Sequence, residues 1–136
     1  MSRIAIPARE ALPAASQPLL DGVDNPLGIV PNRDRVGGLS SNLLGGFLGV
    51  AGGVGKTLDV KTRERIALAT AQVNGCDYCL SAHTYLATNL AKLDAAEIAA
   101  NRNGGSTDAR ANAAVVFAAA VANSRGQVSD ADLAAV

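Results

Sequence analysis

The feature that most constrains the fold of this chain is a series of helix-length segments that begin at capping residues, several of which are followed by glycine or asparagine. Asp59 or Thr57 can cap a helix over residues 60–73, and Asn74-Gly75 would end that helix. A second helix is expected from residue 76 or 77 to about residue 92. Because so few residues separate the two segments, they predict an antiparallel helix pair.

Further helices are expected after this pair. Asp94-Ala95-Ala96-Glu97 resembles a capping box and predicts a short helix, which the glycines at 104 and 105 would end. Thr107 or Asp108 would start a long alanine-rich helix that reaches residue 123. Residues 129–132 resemble one more helix start, but the sequence stops at residue 136. A truncated C-terminus is consistent with this ending.

The N-terminal part of the chain has a different composition. Residues 1–36 contain all five prolines and predict an irregular arm with one short helix near residues 15–20. The segment 37–54 is apolar and dotted with glycine, and it predicts a helix with these large side chains on one face: Leu43, Leu44, Phe47 and Leu48. No strand-like alternation is long enough to count. We therefore predict an N-terminal arm over 1–36 and an all-α domain over 37–136.

Composition and charge argue against several classes of protein. Twelve basic residues balance twelve acidic ones, so no charged surface is available to attract nucleic acid or an anionic membrane. No apolar run is long enough to span a bilayer, and charges and prolines interrupt any signal peptide in the first 20 residues. We therefore expect a cytoplasmic protein, in which a close cysteine pair is catalytic or metal-binding more often than structural.

The residues that carry chemistry are concentrated in one short segment. Both cysteines and the one histidine of the chain lie within eight residues, as Cys76, Cys79 and His83. On a helix these spacings fall on one face over about two turns. The first two side chains would then be within disulfide reach, at a helix start whose N–H groups favour a thiolate. His83 follows Cys79 by one turn and could accept its proton.

Glu64 lies on the preceding predicted helix, twelve residues before Cys76. If that helix folds back at Asn74-Gly75, its carboxylate could orient His83 or relay the thiol proton through water. Arg63 and Arg65 flank Glu64 and could pair with it instead.

At this point the sequence resembles a known family. Glu64, followed after eleven residues by Cys76-x-x-Cys79-x-x-x-His83, is similar to the active-site motif of the alkyl hydroperoxide reductase D (AhpD)-like branch of the carboxymuconolactone decarboxylase family. The local sequence over 71–83, AQVNGCDYCLSAH, is similar as well, and the resemblance covers roughly residues 40–125. It implies an all-helical fold that assembles into homo-oligomers.

The resemblance also implies an activity and a role for each residue. It implies a thiol-dependent peroxidase or disulfide reductase in which Cys79 attacks, Cys76 resolves the sulfenic acid into a disulfide, and Glu64 with His83 moves the proton. Electrons would come from an external dithiol of lipoyl type or similar, and a peroxiredoxin is a further partner in some members. Neither a metal nor a cofactor is expected.

Three alternatives remain open at the level of sequence. Zinc could bind Cys76, Cys79, His83 and Glu64, although structural zinc sites usually use two separated ligand pairs and the chain has no second pair. The chain could be a non-redox lactone decarboxylase of the same fold, a branch not known for a Cys-x-x-Cys pair. It could also be a redox sensor that forms the same disulfide without turnover.

Overall fold

The computed structural model describes residues 3–136, except for the side chains of residues 26 and 27. Within this part of the chain all regular structure is helical, which confirms the predicted all-α class. The α-helices are, in chain order, α1 Gln17–Leu27, α2 Asn32–Gly37, α3 Ser41–Val54, α4 Val60–Val73, α5 Asp77–Asn89, α6 Ala95–Arg102, α7 Ala109–Ser124 and α8 Asp130–Ala134. In the described part of the chain, none of them is both long and apolar enough to cross a bilayer.

Local capping explains where α4 begins. Asp59 precedes it, and its carboxylate accepts hydrogen bonds from the Thr62 backbone N–H at 3.0 Å and the Thr62 hydroxyl at 2.7 Å. These bonds satisfy a helix-start N–H group that has no partner within the helix. The hydrogen bond from Thr62 is also the main reason that the pKa of Asp59 is lowered. The predicted bounds of α4 are confirmed.

The predicted end of α5 was wrong by three residues, because the helix ends at Asn89 and not near Lys92. Lys92 has a left-handed backbone with φ of 55°. The Leu93 N–H donates to the Ala87 carbonyl at 2.9 Å, which closes the turn. Ala91 and Leu93 are both buried, so the chain leaves the helix early in order to place them in the core.

The chain forms two compact units that divide after Lys56. The first contains α1, α2 and α3 around a core of Leu12, Leu20 and Leu44. It is more helical than the irregular arm predicted for residues 1–36. Proline is compatible with these helices because Pro18 lies in the first turn of α1, where its missing N–H removes no helical bond. The division of the chain into an arm over 1–36 and a domain over 37–136 stays a prediction.

In the second unit α4 contacts α5, α6 and α7. Its core contains Leu68 from α4, Ala87 from α5, Ala91 and Leu93 from the following turn, and Ile98 from α6 at its edge. Alanine at two of these positions, 87 and 91, lets the backbones approach closely. Gly75, with φ of 60°, allows the turn that joins α4 to α5. The central position of α4 places its successive side chains against different helices.

Candidate active site

Cys76 and Cys79 lie at the N-terminus of α5 and form a disulfide with a Cα–Cα distance of 5.2 Å. Cys76 is the N-cap residue, and the backbone N–H of Cys79 donates to its Sγ at 3.2 Å. This places a sulfur where side-chain oxygens usually cap helices, close to the positive end of the helix dipole. Both cysteines are half-buried, so the disulfide is not fully enclosed by the protein.

His83 lies one turn after Cys79 on α5, and Glu64 reaches it from α4. The distance from His83 Nδ1 to Glu64 Oε2 is 2.8 Å. The Glu64 side chain is 10% exposed, whereas the His83 side chain is 34% exposed. An ionised carboxylate only accepts hydrogen bonds, so Nδ1–H donates and Nε2 is left for another partner. Glu64 thus binds His83 directly, which agrees with the expectation that its carboxylate orients the imidazole.

The flanking arginine Arg65 does not compete for Glu64. Its Nε donates to Glu97 Oε1 at 2.7 Å, and its terminal nitrogen lies 3.8 Å from Asp108 Oδ2. Arg65 is therefore held toward α6 and the start of α7. The expectation that Arg65 could pair with Glu64 was wrong, because adjacent residues on a helix point about 100° apart.

The sequence predicts Glu97 only as part of a capping box, but its side chain makes further contacts in the structure. Asp94 does cap α6 by accepting from the Glu97 N–H at 2.8 Å, but the Glu97 side chain turns inward and is buried. Burial on its own raises the pKa of the Glu97 carboxyl. Hydrogen bonds from Ser106, Thr107 and Asn101 outweigh that effect and hold the pKa well below its usual range. No local signal in the sequence distinguishes this inward orientation.

A groove of about 350 Å³ runs along α5, the helix whose N-terminus carries the disulfide. Its lining residues are Asp77, Leu80, Ser81, Thr84 and Arg102. Four of these follow one another on one face of α5, and Arg102 comes from the end of α6, where its Nε donates to Gln72 Oε1 at 2.9 Å. The spacing on α5 was visible in the sequence, but the contribution of Arg102 depends on how α6 packs.

The capacity of these residues to hold a metal can be judged from their geometry. Among residues 3–136, the structure brings no three His, Cys, Asp or Glu side chains into a group that could hold a metal ion. Both candidate sulfur ligands are used in the disulfide. In this arrangement the site is suited to exchanging electrons through sulfur and protons through the imidazole and carboxylate.

Comparison with known proteins bears on the family to which this chain belongs. A segment of the chain is 56% identical over 36 residues to an uncharacterised protein of Haemophilus influenzae, a match that covers 26% of this chain and 32% of the relative. The chain thus spans less than two thirds of that relative, whose own function is not described. The family model for the carboxymuconolactone decarboxylase family matches residues 42–125, which include Glu64, Cys76, Cys79 and His83. The chain belongs to the carboxymuconolactone decarboxylase family.

Proposed function

We propose that this protein is a thiol-dependent peroxidase or disulfide reductase, of the AhpD-like kind, that cycles through the Cys76–Cys79 disulfide. The single observation that carries the proposal is that the disulfide at the start of α5 occurs together with a Glu64–His83 hydrogen bond that joins α4 to α5. Family membership supports it, since the family includes AhpD-like proteins. A purely structural disulfide would not need a carboxylate-bound imidazole one turn away.

The proposed cycle has three balanced steps. The Cys79 thiolate attacks one peroxide oxygen, the O–O bond breaks, and the alcohol leaves as Cys79 becomes a sulfenic acid. The Cys76 thiol then attacks the Cys79 sulfur, which releases water and forms the disulfide. An external dithiol supplies two electrons and two protons to restore both thiols and is itself oxidised to a disulfide. With a disulfide substrate, the attack by Cys79 forms a mixed disulfide in place of the sulfenic acid.

The proton path follows from the hydrogen bond between His83 and Glu64. Because Nδ1–H is held by the carboxylate, Nε2 can act as the base that accepts the Cys79 proton. Glu64 stabilises the imidazolium that results, in the way that a carboxylate supports histidine in other catalytic groups. The proton can then be returned to the alkoxide or thiolate that leaves.

A turnover assay tests the proposal. The purified protein is given several peroxides and disulfides in combination with several dithiols, including a lipoyl-type donor, and peroxide loss is measured beside the Cys79→Ser variant. We expect turnover with at least one combination and none in the variant. Turnover that is equal in both proteins would contradict the assignment.

The principal alternative is a non-redox lyase, because the matching family is described by its lactone decarboxylase. Counting free thiols before and after stoichiometric peroxide separates the two functions. A peroxidase of the proposed kind loses two thiols per chain, whereas a decarboxylase has no reason to lose both together. The same measurement with zinc analysis of freshly purified protein addresses the zinc-binding alternative, since bound zinc would protect both thiols.

The reductant and the cellular location belong to the same proposal. A disulfide that must be reset repeatedly needs a reducing compartment, so we propose that the protein works in the cytoplasm. We propose an external dithiol of lipoyl type as donor and a peroxiredoxin as a further acceptor. A sensor in place of an enzyme would form the disulfide once and show no sustained turnover with any donor.

A further inference from the structure

The carboxylate of Glu97 accepts hydrogen bonds from three different parts of the second unit. Oε1 accepts from Arg65 Nε on α4 at 2.7 Å, from Asn101 Nδ2 on α6 at 2.9 Å and from Ser106 Oγ at 2.6 Å. Oε2 accepts from the Thr107 backbone N–H at 2.8 Å and from the Thr107 hydroxyl. Glu97 is 4% exposed, so these donors replace water almost completely.

Only a carboxylate, in which both oxygens accept hydrogen bonds, fits the set of donors around Glu97. All five contacts to the Glu97 carboxylate are donors, so an amide at this position would place its NH₂ group against at least one of them. Charge-assisted hydrogen bonds are shorter and stronger than neutral ones, and their energy falls steeply when the geometry is lost. The orientation of each donor is thereby constrained, including that of Arg65 on α4.

Arg65 directly follows Glu64, the residue that binds His83. Successive helical residues point about 100° apart, so Glu64 faces α5 while Arg65 faces α6 and the start of α7. The Arg65 side chain is only 11% exposed and has a second acidic neighbour in Asp108. A single rotation of α4 about its own axis must satisfy both the Glu64–His83 contact and the Arg65–Glu97 contact. A rotation that breaks the Arg65–Glu97 contact therefore also moves Glu64 relative to His83.

We propose that Glu97 is a positioning residue for the Glu64–His83 pair, acting through Arg65 to set the rotation of α4. The redox consequence of this inference rests on the proposed function, but its geometric content does not. The Glu97–Arg65 contact limits the rotation of α4 about its axis. In that orientation Glu64 lies close enough to bind His83 at 2.8 Å. A displacement of Glu64 by about 1 Å would be enough to lower turnover by roughly ten- to a hundredfold.

The test uses the fact that the chain contains a single histidine. At fixed pH, proton and ¹⁵N NMR of His83 report whether Nδ1–H is hydrogen-bonded to a carboxylate. Glu64→Gln defines the spectrum of the ring without its carboxylate partner. We expect Glu97→Gln to move the His83 signals at least halfway toward those of Glu64→Gln. Val115→Ala truncates a fully buried side chain on α7 that takes no part in the hydrogen bonds to Glu97, and we expect it to keep the wild-type signals.

A second variant guards against a Glu97→Gln protein that does not fold. Arg65→Met cuts the connection on the α4 side and leaves Glu97 its other four donors. We expect the same displacement of the His83 signals. Wild-type His83 signals in folded Arg65→Met or folded Glu97→Gln would overturn the inference, as would an equal displacement in Val115→Ala.

The readouts separate this inference from the proposed function. If the His83 signals respond as expected while the wild-type protein turns over no peroxide or disulfide, the positioning role stands and the enzyme assignment falls. If the wild-type protein is active and both variants keep its His83 signals, the enzyme assignment stands and the positioning role falls. If both are right, the two variants lose turnover to the degree that their His83 signals have moved.

Discussion

At the scale of single residues, the cysteines of this protein are not equivalent. Cys76 is the N-cap of α5, and its sulfur accepts the Cys79 N–H. Cys79 lies inside the first turn, one turn before His83, whose ring is bound to Glu64. The proposed function assigns the imidazole to the Cys79 proton, so we expect the two sulfurs to have different roles in the cycle.

Substitution of each cysteine tests those roles. We expect Cys79→Ser to lower peroxide turnover by roughly a thousandfold or more, because the attacking atom is removed. Cys76→Ser should stop turnover as well but should leave Cys79 as a sulfenic acid or mixed disulfide, which mass spectrometry after a sulfenic-acid trap would detect. A trapped adduct on Cys76 in the Cys79→Ser protein, and none in the other variant, would exchange the two roles.

The contribution of the imidazole can be measured on a single thiol. In reduced Cys76→Ser protein, we expect His83→Ala to raise the pH of half-maximal alkylation of Cys79 by roughly one unit, since a proton acceptor and nearby positive charge are lost. Glu64→Gln should shift the profile in the same direction. Ser81→Ala, on the groove side of α5, is the matched control and should leave it unchanged. Identical profiles for His83→Ala and its parent would reject the proton-transfer role.

At the scale of the elements, α4 organises the second unit. It contacts three other helices, and polar contacts on two of its sides constrain its orientation: Glu64 contacts α5, and Arg65 and Gln72 contact α6. The apolar contacts of Leu68 stabilise the same packing without specifying a single rotation. The buried carboxylate of Glu97 supplies the directional part of the contact.

The lowered pKa of Glu97 predicts how stability depends on pH. Since the folded pKa lies well below the ordinary value of 4.5, the unfolded chain binds the proton more tightly, and the stabilisation is fully present above about pH 5. It is lost progressively as the pH falls below that value toward the folded pKa. We expect Glu97→Gln to lower the free energy of unfolding by roughly 2 kcal/mol at pH 7 and by clearly less at pH 3.

Urea denaturation at both pH values measures this difference. Val115→Ala is the control, because a cavity in the core should cost a similar amount at both. A Glu97→Gln penalty that is the same at pH 7 and pH 3 would mean that the charge of Glu97 does not contribute to stability.

At the scale of the whole molecule, apolar side chains of α3 form an exposed stripe on the surface. Leu43, Phe47, Val50 and Val54 recur at helical spacing and are each at least 45% exposed. Leu44, by contrast, packs into the core of the first unit. An apolar stripe of this kind is costly in water, and the zero net charge of the chain does little to keep copies apart.

We therefore expect the protein to self-associate. Light scattering at micromolar concentration should give a mass of two or more chains, and a Phe47→Glu and Val50→Glu double variant should give a smaller mass. Leu90→Gln, which alters an exposed apolar residue at the end of α5, is the matched control and should keep the wild-type mass. The mass of one chain for the wild-type protein would end this prediction.

Where most of the helices begin and end was predictable from the sequence, because helix ends depend on neighbouring residues. Asp59, Asp94 and Asp108 each cap a helix that the sequence placed correctly to within a residue or two. The errors have local causes as well. The prolines in residues 1–36 predict an irregular arm, although Pro18 lies where a helix tolerates proline. The helix α5 ends early because Ala91 and Leu93, which follow it, are buried in the core.

The sequence by itself determined the helical class and the chemistry available at the site, because cap spacing and the i, i+3, i+7 pattern of Cys76, Cys79 and His83 act over one or two turns. Only the tertiary structure decided which side chains meet across helices. Glu64 and His83 are nineteen residues apart, and Arg65 and Glu97 are thirty-two apart. Such contacts depend on how α4 rotates against its neighbours, and that rotation is set by the packing of the whole unit, which no local pattern encodes.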